Sequence, residues 1–416
     1  MVSEKSGSAS STEKFSREDI SLQHLQAELA RIDLLIQRAV RRWQLAGQDA
    51  ADTFRGLYVS DTEAGLLLQH PFGSNWGATV VLPEAEERAF EQAIQQACLQ
   101  ARAVQQGRPT RLQNLVEAFG LDEFEKDVLL ICLAPAFDLR YEKIYGYLQD
   151  DVTRKRPGIN LALDLCSPAG FDRLQALSHF AADAPLFRYH LLERFSEPGQ
   201  NKSPLLSQSL LIDETIIHWL LGTYTPAGEM APYLKPIPVL SGSAKQPEAE
   251  DDLYSKEFLD QKPILIFTGP DRLAQQHAAQ RLARHSKQPT LTIDLTTIPK
   301  DEINLAQAAG TALRDARLTG SLLFIQGWDI CLEDGLPATG LWSALAQHPG
   351  IVILAGQAAW RPVGLPEGRP IHWQEFSIPG YSERKALWED YLAQAKVSAS
   401  VDLTLLAGQF ALTGEQ

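Results

Sequence analysis

The residues that come nearest to doing chemistry lie in the stretch PILIFTGPDRLAQQH, residues 263–277. Residues 264–267 are a short apolar run of the kind that forms a central parallel strand covered on both faces. Gly269 and Pro270 break it, and Leu273, Ala274, Ala278, Leu282 and Ala283 then recur at helical spacing. A strand, a turn and a helix in this order is where nucleotide-binding proteins place a phosphate loop. Such a loop needs glycines so that backbone N–H groups converge on phosphate. It also needs a Lys for the terminal phosphates and a Ser or Thr hydroxyl for Mg²⁺. Against the pattern G-P-P-G-T-G-K-T the chain offers Gly269-Pro270-Asp271-Arg272-Leu273-Ala274-Gln275-Gln276. Gly269 and Pro270 are kept, Gln275 stands for the Lys and Gln276 for the hydroxyl. These four are the candidate cofactor-binding residues, a vestigial loop without its charges.

A parallel α/β sheet is needed to position that loop, and the second half has the pattern for one. Strands are expected at 264–267, 290–294, 322–325 and 351–355, with helices at about 274–284, 303–317 and 341–347 between them. Before it, residues 223–256 read as a linker rich in proline, with an acidic run at 248–252. Residues 110–222 contain several helices followed by two short strands, expected at 186–192 and 205–211, and a closing helix at 212–222. That is the layout of a winged helix. Pro135 is expected to close an apolar helix that begins near Glu123. The expected fold is therefore multi-domain, a mainly α region with a winged-helix-like domain followed by an α/β domain. The boundaries are a Ser-rich disordered tail at 1–18, a helical region at 19–108, the winged-helix-like domain at 109–222, the linker, the α/β domain at 257–378 and a helical segment from 379 to 416.

Composition narrows the partners. The 416 residues are 44% hydrophobic and 22% charged, ordinary for a globular protein, with a net charge of -14 that opposes broad binding to nucleic acid or anionic membrane. Arg154, Lys155 and Arg156 form one small basic cluster, more in keeping with a solvated turn than with DNA reading. The four cysteines are far apart and without a C-x-x-C pair, as in reduced cytosolic proteins. No apolar run approaches the ~20 residues of a membrane span and no signal core is present, so a cytoplasmic location is expected.

The second half resembles the nucleotide-binding module of AAA+ ATPases. Residues 322–329, LLFIQGWD, sit where such modules have a buried strand ending in Asp-Glu. There the Asp holds Mg²⁺ and the Glu polarises the attacking water. Gln326 and Gly327 occupy those positions, and neither can be an anionic ligand or a base. Asp329 reads as a strand-end turn or helix cap, with a substitute carboxylate as the alternative. Gln357 follows the next strand, where the family places a residue that orients water. Residues 376–388, FSIPGYSERKALW, resemble the hinge into the helical lid, and 401–416 the next lid segment. Arg314, Arg317, Arg361 and Arg369 are candidates for an arginine acting on a neighbouring subunit. Losing the Lys, the Mg²⁺ carboxylate and the polarising Glu together removes phosphate neutralisation and water activation, so no catalytic residue is assigned. The family uses ATP and Mg²⁺. This chain is expected to bind no nucleotide or only a weakly held one, and whether it is itself an enzyme stays open.

Residues 124–135 (FEKDVLLICLAP) and 139–157 (LRYEKIYGYLQDDVTRKRP) resemble a bacterial AAA-family group. Its members carry a winged-helix-like region, a degenerate ATPase module and then an intact one, and some accompany contractile injection systems. The resemblance implies the amino-terminal and pseudo-ATPase part of a ring-forming protein that docks protein partners. It also implies a chain that ends inside the lid, before the active module. The alternatives are a winged-helix nucleic-acid regulator and an AAA+ ATPase active with unconventional residues.

Overall fold

The computed structural model describes residues 19–46, 65, 68–69, 80–167, 171–196, 203–237, 255–299, 301–337, 339–362, 369–394 and 403–410. The expected tail at 1–18 lies outside them. The chain divides into two compact units, residues 1–223 and 224–416.

The first unit opens with α1, Ile20–Leu45, capped by Asp19, whose carboxylate accepts from the backbone N–H of Ser21 and Leu22. Its buried stripe, Leu25, Ile32, Leu35 and Ile36, keeps helical spacing. Helix α2, Glu84–Gln105, packs on α1, and Arg41–Glu86 and Arg42–Glu87 join them at 2.8 and 2.9 Å. After α3, Arg111–Phe119, comes the centre of the unit, α4, Glu123–Phe137. Val128 to Ala134 are all buried, so this helix is covered on every side. Contrary to the sequence expectation, Pro135 lies inside α4 rather than closing it. A proline there withholds the N–H that would bond the carbonyl of Ile131. The hydroxyl of Tyr145 donates to that carbonyl instead, at 2.8 Å, and the helix runs on for two more residues.

Helices α5, Arg140–Leu148, α6, Ile159–Cys166, α7, Phe171–Ala176, and α8, Pro185–Arg188, lead to an antiparallel hairpin. Its strands are β1, Leu192–Phe195, and β2, Ser209–Ile212, with Leu192 opposite Ile212. Helix α9, Glu214–Leu220, follows under an Asp213 cap. The first strand starts six residues later than expected. Pro185 presets a helical φ at the first position of α8, which turns the leading apolar residues Leu186 and Phe187 into the core instead of along a strand.

The second unit is a six-stranded sheet in the order β10-β4-β9-β6-β5-β3. The strands are β3, Leu234–Ile237; β4, Ile264–Thr268; β5, Thr290–Asp294; β6, Leu322–Gln326; β9, Val352–Ala355; and β10, Ile371–Glu375. All pairings are parallel except β3 with β5. Helix α10, Lys256–Asp260, precedes β4, and α11, Arg272–Ser286, joins β4 to β5. Helices α12, Leu305–Thr319, and α13, Thr339–Gln347, join β5 to β6 and β6 to β9, with the small hairpin β7, Leu332–Glu333, and β8, Leu336–Pro337, before α13. The chain moves one way across the sheet through α11 and back through α12 and α13, and right-handed crossovers then put them on opposite faces. Core packing follows. Ile264 and Ile266 of β4 join the α12 and α13 side, Leu265 and Phe267 the α10 and α11 side. Helices α14, Tyr381–Gln394, and α15, Leu403–Gln409, pack together beyond β10.

The stretch read as a linker, 223–256, is divided differently in the structure. Residues 224–237 belong to the sheet unit: the Tyr224 hydroxyl donates to Asp315 at 2.9 Å, Met230 enters the core and β3 forms an edge strand. Prolines signalled a linker, but Pro236 is tolerated because an edge strand has one side with no ladder bond to lose. Residues 238–254 lie outside the described residues.

Candidate functional site

The carboxyl ends of β4, β6 and β9 are where a parallel α/β sheet binds ligands. Here they gather Gly269, Gln275, Gln326 and Gln357. At Gly269 the chain turns with φ 113°, and a Cβ would collide with the carbonyl of Phe376. Glycine is required to let the loop pass against the segment after β10. The loop's polar groups are then satisfied from within. The N–H of Gly269 donates to the Gln357 carbonyl at 3.3 Å, and the N–H of Asp271 to the Phe376 carbonyl at 3.4 Å. Asp271 caps α11. Its carboxylate, 4% exposed, accepts from the Ala274 N–H at 3.0 Å. A helix start attracts an anion through its free N–H groups, and here the protein supplies that anion itself.

Gln275 is 2% exposed and points back under the loop. Its amide donates to the carbonyls of Gly269 at 3.0 Å and Gly356 at 3.2 Å, tying the end of β4 to the end of β9. Gln276 is half-buried on α11. Beside the loop, Arg272 and Asp294 form an ion pair at 2.7 Å that takes the nearest guanidinium out of service for phosphate.

Gln326 ends β6 and is buried. Gly327 sits at φ 68° with Thr296 so close that a side chain would clash. Asp329 carries a role that the sequence pattern left between turn and substitute carboxylate. Its Oδ2 accepts from the Gln357 N–H at 2.7 Å and its Oδ1 from the Ala358 N–H at 2.9 Å. The carboxylate therefore holds the turn after β9, and Gln357 itself is exposed. Asp271 was not singled out from the sequence. An Asp three residues before a helical N–H is a cap signature that could have found it.

The arginines are largely committed. Arg369 donates to the carbonyls of Lys262, Leu345 and Ala346, among others, at the end of α13. Burial lowers its pKa to about 10. Arg314 is buried and donates to Asp315 at 2.8 Å. Arg384, at the expected lid hinge, donates to the carbonyls of Ala407 and Pro379, fastening α14 to α15. His348 is 5% exposed, and burial, with Arg369 and Arg317 nearby, holds its pKa down at about 3.

In the first unit the basic cluster is also spent locally. Arg154 faces Asp151 at 3.6 Å and Lys155 faces Glu142 at 3.7 Å, while Arg156 stacks over Phe195 with 5.2 Å to the ring centroid. No helix among the described residues is long and apolar enough to cross a membrane.

These features define a helical unit with a winged-helix hairpin and a sheet unit consistent with a P-loop-like domain whose loop is closed by its own side chains. The chain belongs to the family described as "Winged helix domain, variant", whose model matches residues 18–234. Among solved structures the chain is similar to the crystal structure of the FIGL-1 AAA domain in complex with ADP. The identity is 14% and the TM-score 0.31, over 39% of this chain and 60% of that one. A likeness at that level transfers no property. No curated protein matches the sequence.

Proposed function

We propose that this chain is the amino-terminal and pseudo-ATPase part of a ring-forming AAA+ protein. The winged-helix unit docks protein partners or substrates, and the α/β unit braces neighbouring subunits. Hydrolysis of ATP takes place in a separate, intact module, as the sequence resemblance implies, and the same resemblance suggests contractile injection systems as a setting. The observation that supports this reading best is the filled loop, with the Asp271 carboxylate at the helix start and the Gln275 amide bonded to Gly269 and Gly356. A phosphate arriving there meets a buried negative charge and N–H groups that already have acceptors. With Gln326 and Gly327 at the metal and base positions, neither charge neutralisation nor water activation is supplied.

The test pairs two measurements on the purified chain. Phosphate release from ATP with Mg²⁺ is expected at background. Light scattering after size exclusion is expected to show self-association, or association with the intact module supplied as a second chain. Turnover that is lost on substituting Gln275 or Gln326 contradicts the pseudo-ATPase reading. A strictly monomeric chain that ignores the intact module contradicts the bracing role.

A further inference from the structure

Three metal-ligating side chains converge at the start of α4 in the first unit. Asp122 is the N-cap, Glu125 is the third residue of the helix, and His179 arrives from the 3-10 turn Leu177–Phe180. One donor atom from each lies within 4.8 Å of the other two. The capping box decides which oxygens face outward. Asp122 Oδ1 accepts from the Glu125 N–H at 2.8 Å, and Glu125 Oε2 accepts from the Asp122 N–H at 3.1 Å. Glu125 Oε1 and Asp122 Oδ2 are left turned to Nδ1 of His179, at 3.3 and 3.6 Å. The ring of Phe124, 4.9 Å from the imidazole between centroids, steadies His179 independently of the carboxylates.

His179 Nδ1 hydrogen-bonds Glu125 Oε1 at 3.3 Å, and the spacing also fits a ligand set. A charge-assisted N–H···O bond runs about 2.7–2.9 Å, and both separations are longer. Donors about 2.1 Å from a tetrahedral Zn²⁺ stand about 3.4 Å from one another, close to the two separations from His179 Nδ1. Glu125 is 3% exposed, and a buried carboxyl needs partners for both oxygens, which the Asp122 N–H and His179 supply here. Among the described residues no Lys or Arg forms an ion pair with Asp122 or Glu125, and the neighbouring Lys126 is taken by Glu28 and Glu123. Asp122 is exposed and His179 half-buried, which leaves a way in.

We propose that Asp122, Glu125 and His179 bind a divalent transition-metal ion, Zn²⁺ by preference, with solvent completing the coordination. One imidazole and two carboxylates suit Zn²⁺ better than Ca²⁺ or Mg²⁺, which take six or more oxygen ligands. The ion fastens the 177–180 turn to the central helix and stabilises the winged-helix unit.

The experiment is titration calorimetry of the tag-free chain with zinc sulfate, alongside Asp122→Asn and His179→Ala. Asparagine is as good an N-cap as aspartate, so the first variant removes a ligand and keeps the helix start. The expected result is one-to-one binding that weakens at least tenfold in each variant, with a zinc-dependent rise in Tm only in the parent. Cobalt substitution is expected to give a weak visible band without thiolate charge transfer. Thiolate absorption, unchanged affinity in Asp122→Asn, or no one-to-one binding overturns the proposal.

Discussion

The side-chain amide of Gln275 donates to the carbonyl of Gly269 at 3.0 Å, and its second bond, to Gly356 at 3.2 Å, joins the ends of two adjacent strands. In a working phosphate loop this position carries a cation aimed at phosphate. Here a neutral donor is aimed at the protein. Gln275→Leu keeps the volume and leaves both carbonyls short of a donor, so the sheet unit is expected to lose about 1–3 kcal/mol. Urea unfolding of the variant against the parent measures it.

Restoring the lysine alone is not expected to restore a nucleotide site. In Gln275→Lys the Asp271 carboxylate still occupies the start of α11 and Gln326 still offers no charge for Mg²⁺. ATP affinity is predicted to stay undetectable by calorimetry at millimolar ligand. Micromolar binding in this single variant would show that the loop is open and lacks only its cation.

Asp271 serves as cap and as resident anion, and two substitutions separate the roles. Asp271→Ala should cost about 1 kcal/mol through the lost cap, whereas Asp271→Asn should cost a few tenths or less because Asn caps equally well. Thermal unfolding of the pair reads the difference. Equal losses in both variants would mean that the charge, and not the cap, stabilises the helix start.

Asp329 holds the turn after β9 through two N–H groups, at 2.7 and 2.9 Å. Asp329→Ala hands both N–H groups to solvent and is expected to destabilise the sheet unit by about 1 kcal/mol. Amide exchange at Gln357 and Ala358 should accelerate with it. A variant that exchanges at the parent rate would remove this account of Asp329.

Much of the sheet unit was legible because period and polarity agree. Strands β4, β6 and β9 are apolar runs buried along their length, β5 alternates apolar Leu291 and Ile293 with polar residues, and the helices between them follow a 3.6 repeat. What stayed hidden is non-local. That Pro135 continues its helix depends on the Tyr145 hydroxyl, ten residues away, and that β3 joins the sheet depends on an edge that only the folded β5 provides. That positions 275, 326 and 327 offer neither a Lys nor an Asp-Glu pair could be read directly from residue types. What Gln275 does could not, since a Gln there reads the same whether it faces solvent or ties two strands together. The Asp122, Glu125 and His179 cluster was hidden for a similar reason, because His179 lies 54 residues from Glu125 in the chain.

His348 gives the sheet unit a signature in acid. Its folded pKa of about 3 lies below the ordinary 6.5, so between these values the unfolded chain binds a proton that the folded chain refuses. Stability is therefore unaffected above about pH 6.5 and falls as pH drops below it, by up to about 1.4 kcal/mol per pH unit for one group. Replacing His348 with Gln should flatten that part of the pH profile of urea midpoints. A profile of unchanged slope would mean that the folded protein accepts the proton at 348.

The central claim is that the loop between β4 and α11 is closed by the protein's own groups, and calorimetric titration of the unmodified chain with ATP and Mg²⁺ tests it most directly. No saturable heat is predicted up to millimolar nucleotide, with or without the metal. Saturable, Mg²⁺-dependent binding in the micromolar range, abolished by changing Gly269 or Gln326, would contradict it.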